Sequence, residues 1–346
     1  MAPPDIEGML EEDPPDSGSV DMQLARRTLD LNRARSKVKR LIGRVKDLED
    51  ELGIRDQLGL PIDAPPIKAR TKKSGEATAI AMLSDVHWGE VVDPRTINGM
   101  NEYTPEIAER AVRLFFQGIR DHIETQRAGV RIRDLILVLG GDLITGSIHD
   151  ELQEVNALGP IPEAIEVQAA IKTGIRFLLD DRQLRIRVAC VYGNHGRITK
   201  KRRHATGARH NIERLIYENL RVQFEDTKRV HWTVANGAHI YQQVYDNGII
   251  RITHGDDCKF FGGAAGLSLP LHKAVKAWNT VRYADLTILG HFHQLKDFGH
   301  SIVNGSTIGF NAYALAIKAE FEPPRQAFFL WDKTHGKTIF APIIVR

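Results

Sequence analysis

The chain has 346 residues, 42% of them hydrophobic, enough for a sizeable core in one large domain or two ordinary ones. Its two cysteines, Cys190 and Cys258, argue against a disulfide framework, and no apolar run approaches the roughly 18 residues of a membrane helix. The formal net charge is only +3, the opening residues lack the basic and apolar stretches of a signal peptide, and the expected setting is the reducing cytoplasm, away from membranes.

Along the chain, residues 1–21 hold seven acids, several prolines and no Lys or Arg, and read as a disordered acidic tail. With those seven negative charges set aside, the rest of the chain carries a net +10, a balance that favours polyanionic partners such as nucleic acid. Residues 22–52 repeat every seven: Leu24, Leu31, Val38, Val45 and Leu52 at one position, Arg27, Ala34, Leu41 and Leu48 three later. That spacing predicts a helical coiled-coil segment, and Val with Leu at these positions favours two parallel strands, hence a homodimer. The alternative is a single helix packed on its own catalytic domain. Residues 53–76, with Gly, Pro and a basic patch, read as a linker.

From 77 to 346 short apolar runs alternate with amphipathic segments. TAIAML, LILVLG, RVACVY, IIRITHG and LTILG predict strands. TPEIAERAVRLFFQGIRDHIETQ and IPEAIEVQAAIKTGIRFLLDD predict helices, the first with Thr104 as N-cap and Pro105 at its first position. RQAFFLWDKTHGKTIFAPIIV predicts a closing hairpin. Strand–helix alternation of this kind implies an α/β fold with buried central strands.

Each predicted strand ends in polar residues. SDVHWGE holds Asp85 and His87; GDLITGSIHDE holds Asp142 and His149; GNHGR holds Asn194 and His195; HGDD holds His254; GHFH holds His291 and His293. Ligands of open α/β sheets bind beyond the carboxyl ends of strands, so five such ends would bring these groups together. A carboxylate, amide and imidazole set suits divalent Mn, Fe or Zn, and the lack of Cys in it argues against a structural zinc site.

Taken in order, D-x-H-x-G (Asp85, His87, Gly89), G-G-D (Gly140, Gly141, Asp142), G-N-H (Gly193, Asn194, His195), His254 and G-H-x-H (Gly290, His291, His293) resemble the calcineurin-like metallophosphoesterase superfamily over residues 78–310. Among its branches the chain is most similar to Mre11- and SbcD-type nucleases and to phage-type phosphoesterases, the latter through GDLITGSIHDEL and NGSTIGFNAYALAIKAEFEPPRQAFFLWD. The resemblance implies a β-sandwich flanked by helices in four α/β/β/α layers. It implies two divalent ions, Mn(II) first, with Fe(II), Zn(II) and Mg(II) as alternatives. Asp85, His87, Asp142 and His293 would hold one metal; Asp142, Asn194, His254 and His291 the other. A hydroxide made between the two metals would attack phosphorus in line, with His195 as the catalytic residue near the leaving oxygen, to stabilise charge or donate a proton. Two departures stand out. Many relatives carry an acid directly after G-N-H, whereas this chain has Gly196, leaving Asp150, Asp256 and Asp257 as candidates to orient His195. GDLITGS also lacks the Asp-Arg-Gly of the Ser/Thr protein phosphatases, which counts against that branch.

The segment GRITKKRRH follows the G-N-H motif, and its Arg197, Lys200, Lys201, Arg202 and Arg203 suit a phosphate backbone, read without regard to sequence; the alternative is a solvated basic run. His149 reads as a contact at the site rim or as a surface-loop histidine. Trp88 reads as a base-stacking platform or as a core plug. HGDDCKFFGGAAGLSLP is a Gly-rich loop near the site, and it is no phosphate-binding P-loop because no Gly-Lys-Ser/Thr follows. The expected function is a dinuclear-metal phosphodiesterase on nucleic acid, DNA before RNA, a nuclease or exonuclease by type of branch. The alternatives are a phosphodiesterase or phosphatase of small nucleotides and, from another class, a scaffold with a vestigial site. Relatives of the Mre11 type also work with an ATPase, which would here be a separate chain because no ATP-binding motif is present.

Overall fold

In the computed structural model, residues 17–51, 75–258 and 266–346 are described. The chain divides into two compact units, 1–69 and 70–346. In the first, helix α1 spans Ser17–Glu51, and every side chain from Met22 to Glu49 is exposed. The helix takes in residues 17–21, the end of the expected disordered tail. The rest of that tail, 1–16, and most of the expected linker, 52–74, lie outside the described residues.

The second unit is mixed α/β. Strands β1 (Glu76–Leu83), β2 (Arg131–Leu139), β3 (Arg185–Cys190) and β4 (Val230–Val234) run parallel, and β11 (Phe328–Asp332) and β12 (Gly336–Phe340) continue the sheet antiparallel in the order β12-β11-β1-β2-β3-β4. A second sheet has the order β5-β6-β7-β9-β8, from β5 (Ile240–Gln243), β6 (Ile249–Ile252), β7 (Leu286–Leu289), β8 (Lys296–Asp297) and β9 (Ser301–Val303). The short strands β10 (Arg325–Gln326) and β13 (Ile343–Ile344) pair with each other. β11 and β12 are the hairpin expected at the C-terminal end.

Alternation along the central strands explains why they read as unbroken apolar runs. Side chains of a strand point alternately to its two faces. In β1, Ala77, Ala79, Ala81 and Leu83 join one core, while Ile80 and Met82 join another. In β2, Leu135, Leu137 and Leu139 take the first core and Ile136 and Val138 the second. The first core is closed by helices α2 (Pro105–Gln126), α4 (Pro160–Leu179) and α5 (Ile212–Gln223), the second by the inner face of the second sheet, through Ile240, Ile250, Ile252, Ile288 and Ile302. A third, smaller cluster joins Leu271 and Val275 of α6 (Ser268–Val281) to Leu289 and Val303 of that sheet. Each fully buried Leu, Ile or Phe contributes roughly 1.5–3 kcal/mol.

Helix α2 starts as its sequence indicates. The Thr104 hydroxyl accepts the Ile107 N–H, Pro105 takes the first position, and Ala108, Val112, Phe115, Ile119 and Ile123 form the buried stripe. The remaining short helices are α3 (Asp150–Val155) and α7 (Ala312–Ala316). Among the described residues no helix is long and apolar enough to cross a membrane.

Candidate metal centre

β1, β2, β3, β6 and β7 each stop two to four residues before the first of their candidate side chains: Asp85 and His87, Asp142, Asn194 and His195, His254, and His291 with His293. Three interlocking groups result, in each of which one atom per residue lies within 4.8 Å of the others: Asp85, His87 and His293; His87, Asp142 and His195; and Asp142, His254 and His291. Asp142 belongs to two of them.

The backbone at these positions is unusual. Among the described residues eight non-glycine residues have positive φ, and five are Asp85 (54°), His87 (51°), Asp142 (50°), His291 (73°) and His293 (55°). Such conformations cost of order 1–3 kcal/mol each and persist where surrounding structure fixes them, chiefly at functional sites. His291 and His293 accordingly sit in the turn past β7, and their rings turn to different partners. His291 faces His254, with ring centroids 5.2 Å apart, and His293 faces His87 at 4.9 Å.

Contacts behind the cluster aim its lone pairs inward. The His254 Nδ1 lies 2.9 Å from the Gly140 carbonyl and donates to it, which leaves Nε2 3.0 Å from an Asp142 oxygen and 3.2 Å from the Asn194 Oδ1. The His87 and His293 Nε2 atoms are 3.1 Å apart, and the His293 Nε2 is 3.5 Å from Asp85. Asp85 is held by the His291 N–H at 2.8 Å and by the Ser84 hydroxyl, itself bonded by the Asn304 amide at 2.8 Å. Burial, and then the neighbouring His195 and His293, hold His87 well below the usual imidazole range, and burial followed by His254 pushes His291 down to about 3. Both are therefore neutral, the form that ligates metal. Burial alone would lower His254 and raise Asp142, but their mutual attraction outweighs it, so His254 is raised and Asp142 lowered.

This donor set fits divalent cations. Two imidazole nitrogens each about 2.1 Å from one ion and at right angles would lie about 3 Å apart, close to the His87–His293 spacing. An Nε2 wedged between a carboxylate and an amide oxygen likewise converges acceptors on one point, where a cation is the natural occupant.

His195 stands apart. Its backbone N–H donates to Asp142 at 2.8 Å, and its Nδ1 donates to the Thr145 carbonyl at 2.8 Å. A backbone carbonyl orients this ring, not any of the three acids considered from sequence; Asp256 and Asp257 are occupied by Arg202 at 3.1 and 2.5 Å. His149 is exposed, with its ring 6.1 Å from that of His195, at the rim.

Of the basic segment, Lys200, Lys201 and Arg203 are exposed, Arg197 is half-buried, and Arg202 is clasped by the two aspartates. Beside Asn194 and His254 lies a cavity of about 110 Å³, lined also by Tyr192, Arg197, Arg203 and His210. The base-stacking role for Trp88 is corrected: it is 3% exposed, packs in the first core, and its Nε1 donates to Glu166 at 2.9 Å, so neither ring face is open. Part of the Gly-rich loop, 259–265, lies outside the described residues.

Two buried glutamates escaped sequence reading. Glu213 accepts the Leu143 and Gly193 N–H groups, and Glu163 accepts the Gly146 N–H at 2.8 Å. Burial pushes each up to about 8. A usable signal for α5 was present: Asn211 as N-cap ahead of Ile212, Ile216, Tyr217 and Leu220 at helical spacing.

No protein-family model matches the chain, and no curated protein matches it. Solved structures resemble it only loosely, among them these three. The sulfate thiohydrolase SoxB of Thermus thermophilus, in complex with glycerol, is 11% identical over 82% of this chain, with a TM-score of 0.31; the chain spans 57% of the SoxB length. A dimetal phosphatase from Danio rerio is 10% identical over 78% of this chain and 99% of its own, with a TM-score of 0.33. The calcineurin-like phosphoesterase YfkN from Bacillus subtilis is 11% identical over 79% of this chain and 92% of that one, with a TM-score of 0.30. Superpositions this loose do not assign a function, which rests here on the side chains.

Proposed function

We propose that the chain is a dinuclear-metal phosphodiesterase that hydrolyses nucleic acid, DNA before RNA. The observation that carries this reading is Asp142 shared between interlocked Asp/His groups whose backbone is held in the left-handed region. Asp85, His87, Asp142 and His293 would hold one divalent ion, and Asp142, Asn194, His254 and His291 the other. Mn(II) suits the oxygen and nitrogen donors, and Fe(II), Zn(II) and Mg(II) remain alternatives. Two such ions would supply Lewis acidity toward phosphate oxygens and lower the pKa of a bound water.

The chain's own groups do the rest. The Thr145 carbonyl accepts the Nδ1 proton of His195 in either charge state, so Nε2 is free to give a proton to the departing oxygen. Lys200, Lys201 and Arg203 present exposed positive charge to flanking phosphates, Arg197 adds to it from the cavity wall, and His149 borders the same side. Arg202 serves this surface indirectly, by tying the segment to Asp256 and Asp257.

The small cavity beside Asn194 and His254 favours a second reading, a phosphodiesterase or phosphatase of a small nucleotide. The three apolar clusters support a four-layer α/β/β/α order for the catalytic unit. For α1 we propose a parallel coiled-coil homodimer through residues 22–52. Its seam from Leu24 to Leu48 is exposed, and an in-register parallel pair sets Asp30 opposite Arg35 and Arg44 opposite Glu49, with no like charges facing at these flanking positions.

The test is metal-free protein reconstituted with Mn²⁺, Mg²⁺, Zn²⁺ or Fe²⁺ and given end-labelled linear single- and double-stranded DNA, closed circular DNA and a small chromogenic phosphodiester, beside His254→Ala. DNA cleavage that the substitution abolishes supports the nuclease; resistance of circles makes it an exonuclease. Turnover of the small ester alone moves the assignment to the second reading.

A further inference from the structure

The loop past β2 and the loop past β3 meet with no side chain between them. A Cβ on Gly141 would lie 2.4 Å from the Gly193 nitrogen, and one on Gly193 would lie 2.1 Å from an Asp142 oxygen. Asp142 and Asn194 can therefore converge on one point only while these two turns stay in register. What fixes the register comes from a third element, the start of α5. One Glu213 oxygen accepts the Leu143 N–H and the other accepts the Gly193 N–H at 2.6 Å. The neighbouring Asn211 donates to the Gly193 carbonyl at 2.8 Å and, through its side-chain oxygen, accepts the Glu213 N–H at 2.9 Å. The Ile212 N–H donates to the Gly196 carbonyl at 2.8 Å.

Gly196 makes this possible. A Cβ there would lie 2.4 Å from the Asn211 Oδ1 and 2.7 Å from the Glu213 Cγ. The space directly after G-N-H is thus given to side chains arriving from α5. Glu213 is fully buried, an arrangement expensive to keep unless its oxygens are matched by donors.

We propose that Glu213 is a positioning residue for the metal that Asp142, Asn194, His254 and His291 would hold. It clamps the two backbone turns that carry Asp142 and Asn194 and so sets the spacing of their oxygens around the His254 Nε2. This rests on the dinuclear reading above. Glu213 touches none of Asp85, His87 and His293, and Asp142 keeps its bond from the His195 N–H without it. The effect therefore falls chiefly on the ion that depends on Asn194 as well as Asp142. Supporting groups of this kind are worth about 10–100-fold in metal affinity.

The experiment is Mn²⁺ binding to the full chain by calorimetry, with the Mn–Mn coupling read by electron paramagnetic resonance, for wild type, Glu213→Gln, Asn211→Ser and Glu163→Gln. In Glu213→Gln the amide turns an N–H toward a backbone N–H. The weaker of two binding steps should fall about 10–100-fold while the tighter step holds and the coupled signal disappears. Asn211→Ser keeps a helix cap but loses the bond to the Gly193 carbonyl, and should weaken the same step by less. It decides the matter if Glu213→Gln does not fold. Glu163→Gln, an equally buried carboxylate that accepts from Gly146, Thr145 and Asn156 and from neither turn carrying Asp142 or Asn194, should leave both steps as in wild type. Unchanged binding in Glu213→Gln and Asn211→Ser, or equal weakening of both steps in line with lost thermal stability, overturns the inference. A wild type that binds fewer than two Mn²⁺ would instead overturn the dinuclear reading itself.

Discussion

Replacing His195 by Ala separates a proton donor from a metal ligand. The His195 ring stands edge-on to His87 with centroids 4.5 Å apart, and one of its nitrogens lies within 4.8 Å of donor atoms of His87 and Asp142. Its Nδ1 is committed to the Thr145 carbonyl. If Nε2 hands a proton to the leaving oxygen, its loss should lower kcat by about 10²–10⁴, the usual span for general acid catalysis. At 1.36 kcal/mol per decade this is about 3–5 kcal/mol of transition-state stabilisation. The loss should depend on the leaving group. A DNA strand leaves as an alkoxide that needs the proton, whereas nitrophenolate does not. Steady-state rates of Mn²⁺-loaded wild type and His195→Ala on DNA and on a bis-nitrophenyl phosphodiester make the comparison, with bound Mn²⁺ counted in both. Full metal content, a large loss on DNA and a small one on the nitrophenyl ester are expected. Equal losses on both substrates, or release of a metal ion, would refute the assignment.

Three further outcomes are expected. Reversing Arg35 and Arg44 to Glu together places like charges across the proposed α1 seam, and should shift the full chain from dimer toward monomer in sedimentation at low salt; a dimer of unchanged affinity rules out the parallel register. The metal-free protein should lose thermal stability between about pH 6.5 and 8. Glu163 and Glu213 titrate at about 8 when folded against 4.5 as the ordinary value, so the folded chain holds protons the unfolded chain has lost. His254 and His293, also raised, act in the same sense, while His87 and His291, lowered, are neutral in both states there. A melting temperature that rises across this window contradicts the burial argument. Finally, Trp88→Ala should cost about 3–5 kcal/mol in denaturant unfolding, while Trp88→Phe should leave KM for DNA unchanged; a raised KM in Trp88→Phe would return Trp88 to the substrate.

The strand ends were legible because each apolar run stops abruptly at a glycine or a polar group, a change that survives without knowledge of partners. Helix α2 was legible from Thr104 and Pro105, and the closing hairpin from its apolar runs around a turn. What was not legible depends on contacts between segments far apart in the chain. Trp88 reads the same beside His87 whether it faces solvent or the Glu166 carboxylate, and only packing decides. Arg202 looks like its neighbours until Asp256 and Asp257, more than fifty residues on, take its charge. A sequence displays side chains and not the direction of a backbone carbonyl, so nearby acids stand out as partners for His195, yet the Thr145 carbonyl accepts its Nδ1 proton. Glu213 looks like an ordinary first-turn acid, favoured there by the helix dipole, and nothing local says that it is buried against two loops.

The most direct test of the account is a titration of the metal-free full chain with Mn²⁺, following hydrolysis of a phosphodiester and counting bound metal in the same samples. Turnover should appear with the second bound ion, and Asp142→Asn, which removes the shared carboxylate, should abolish it. Two ions bound with no diester hydrolysed, or full turnover with one, would contradict it.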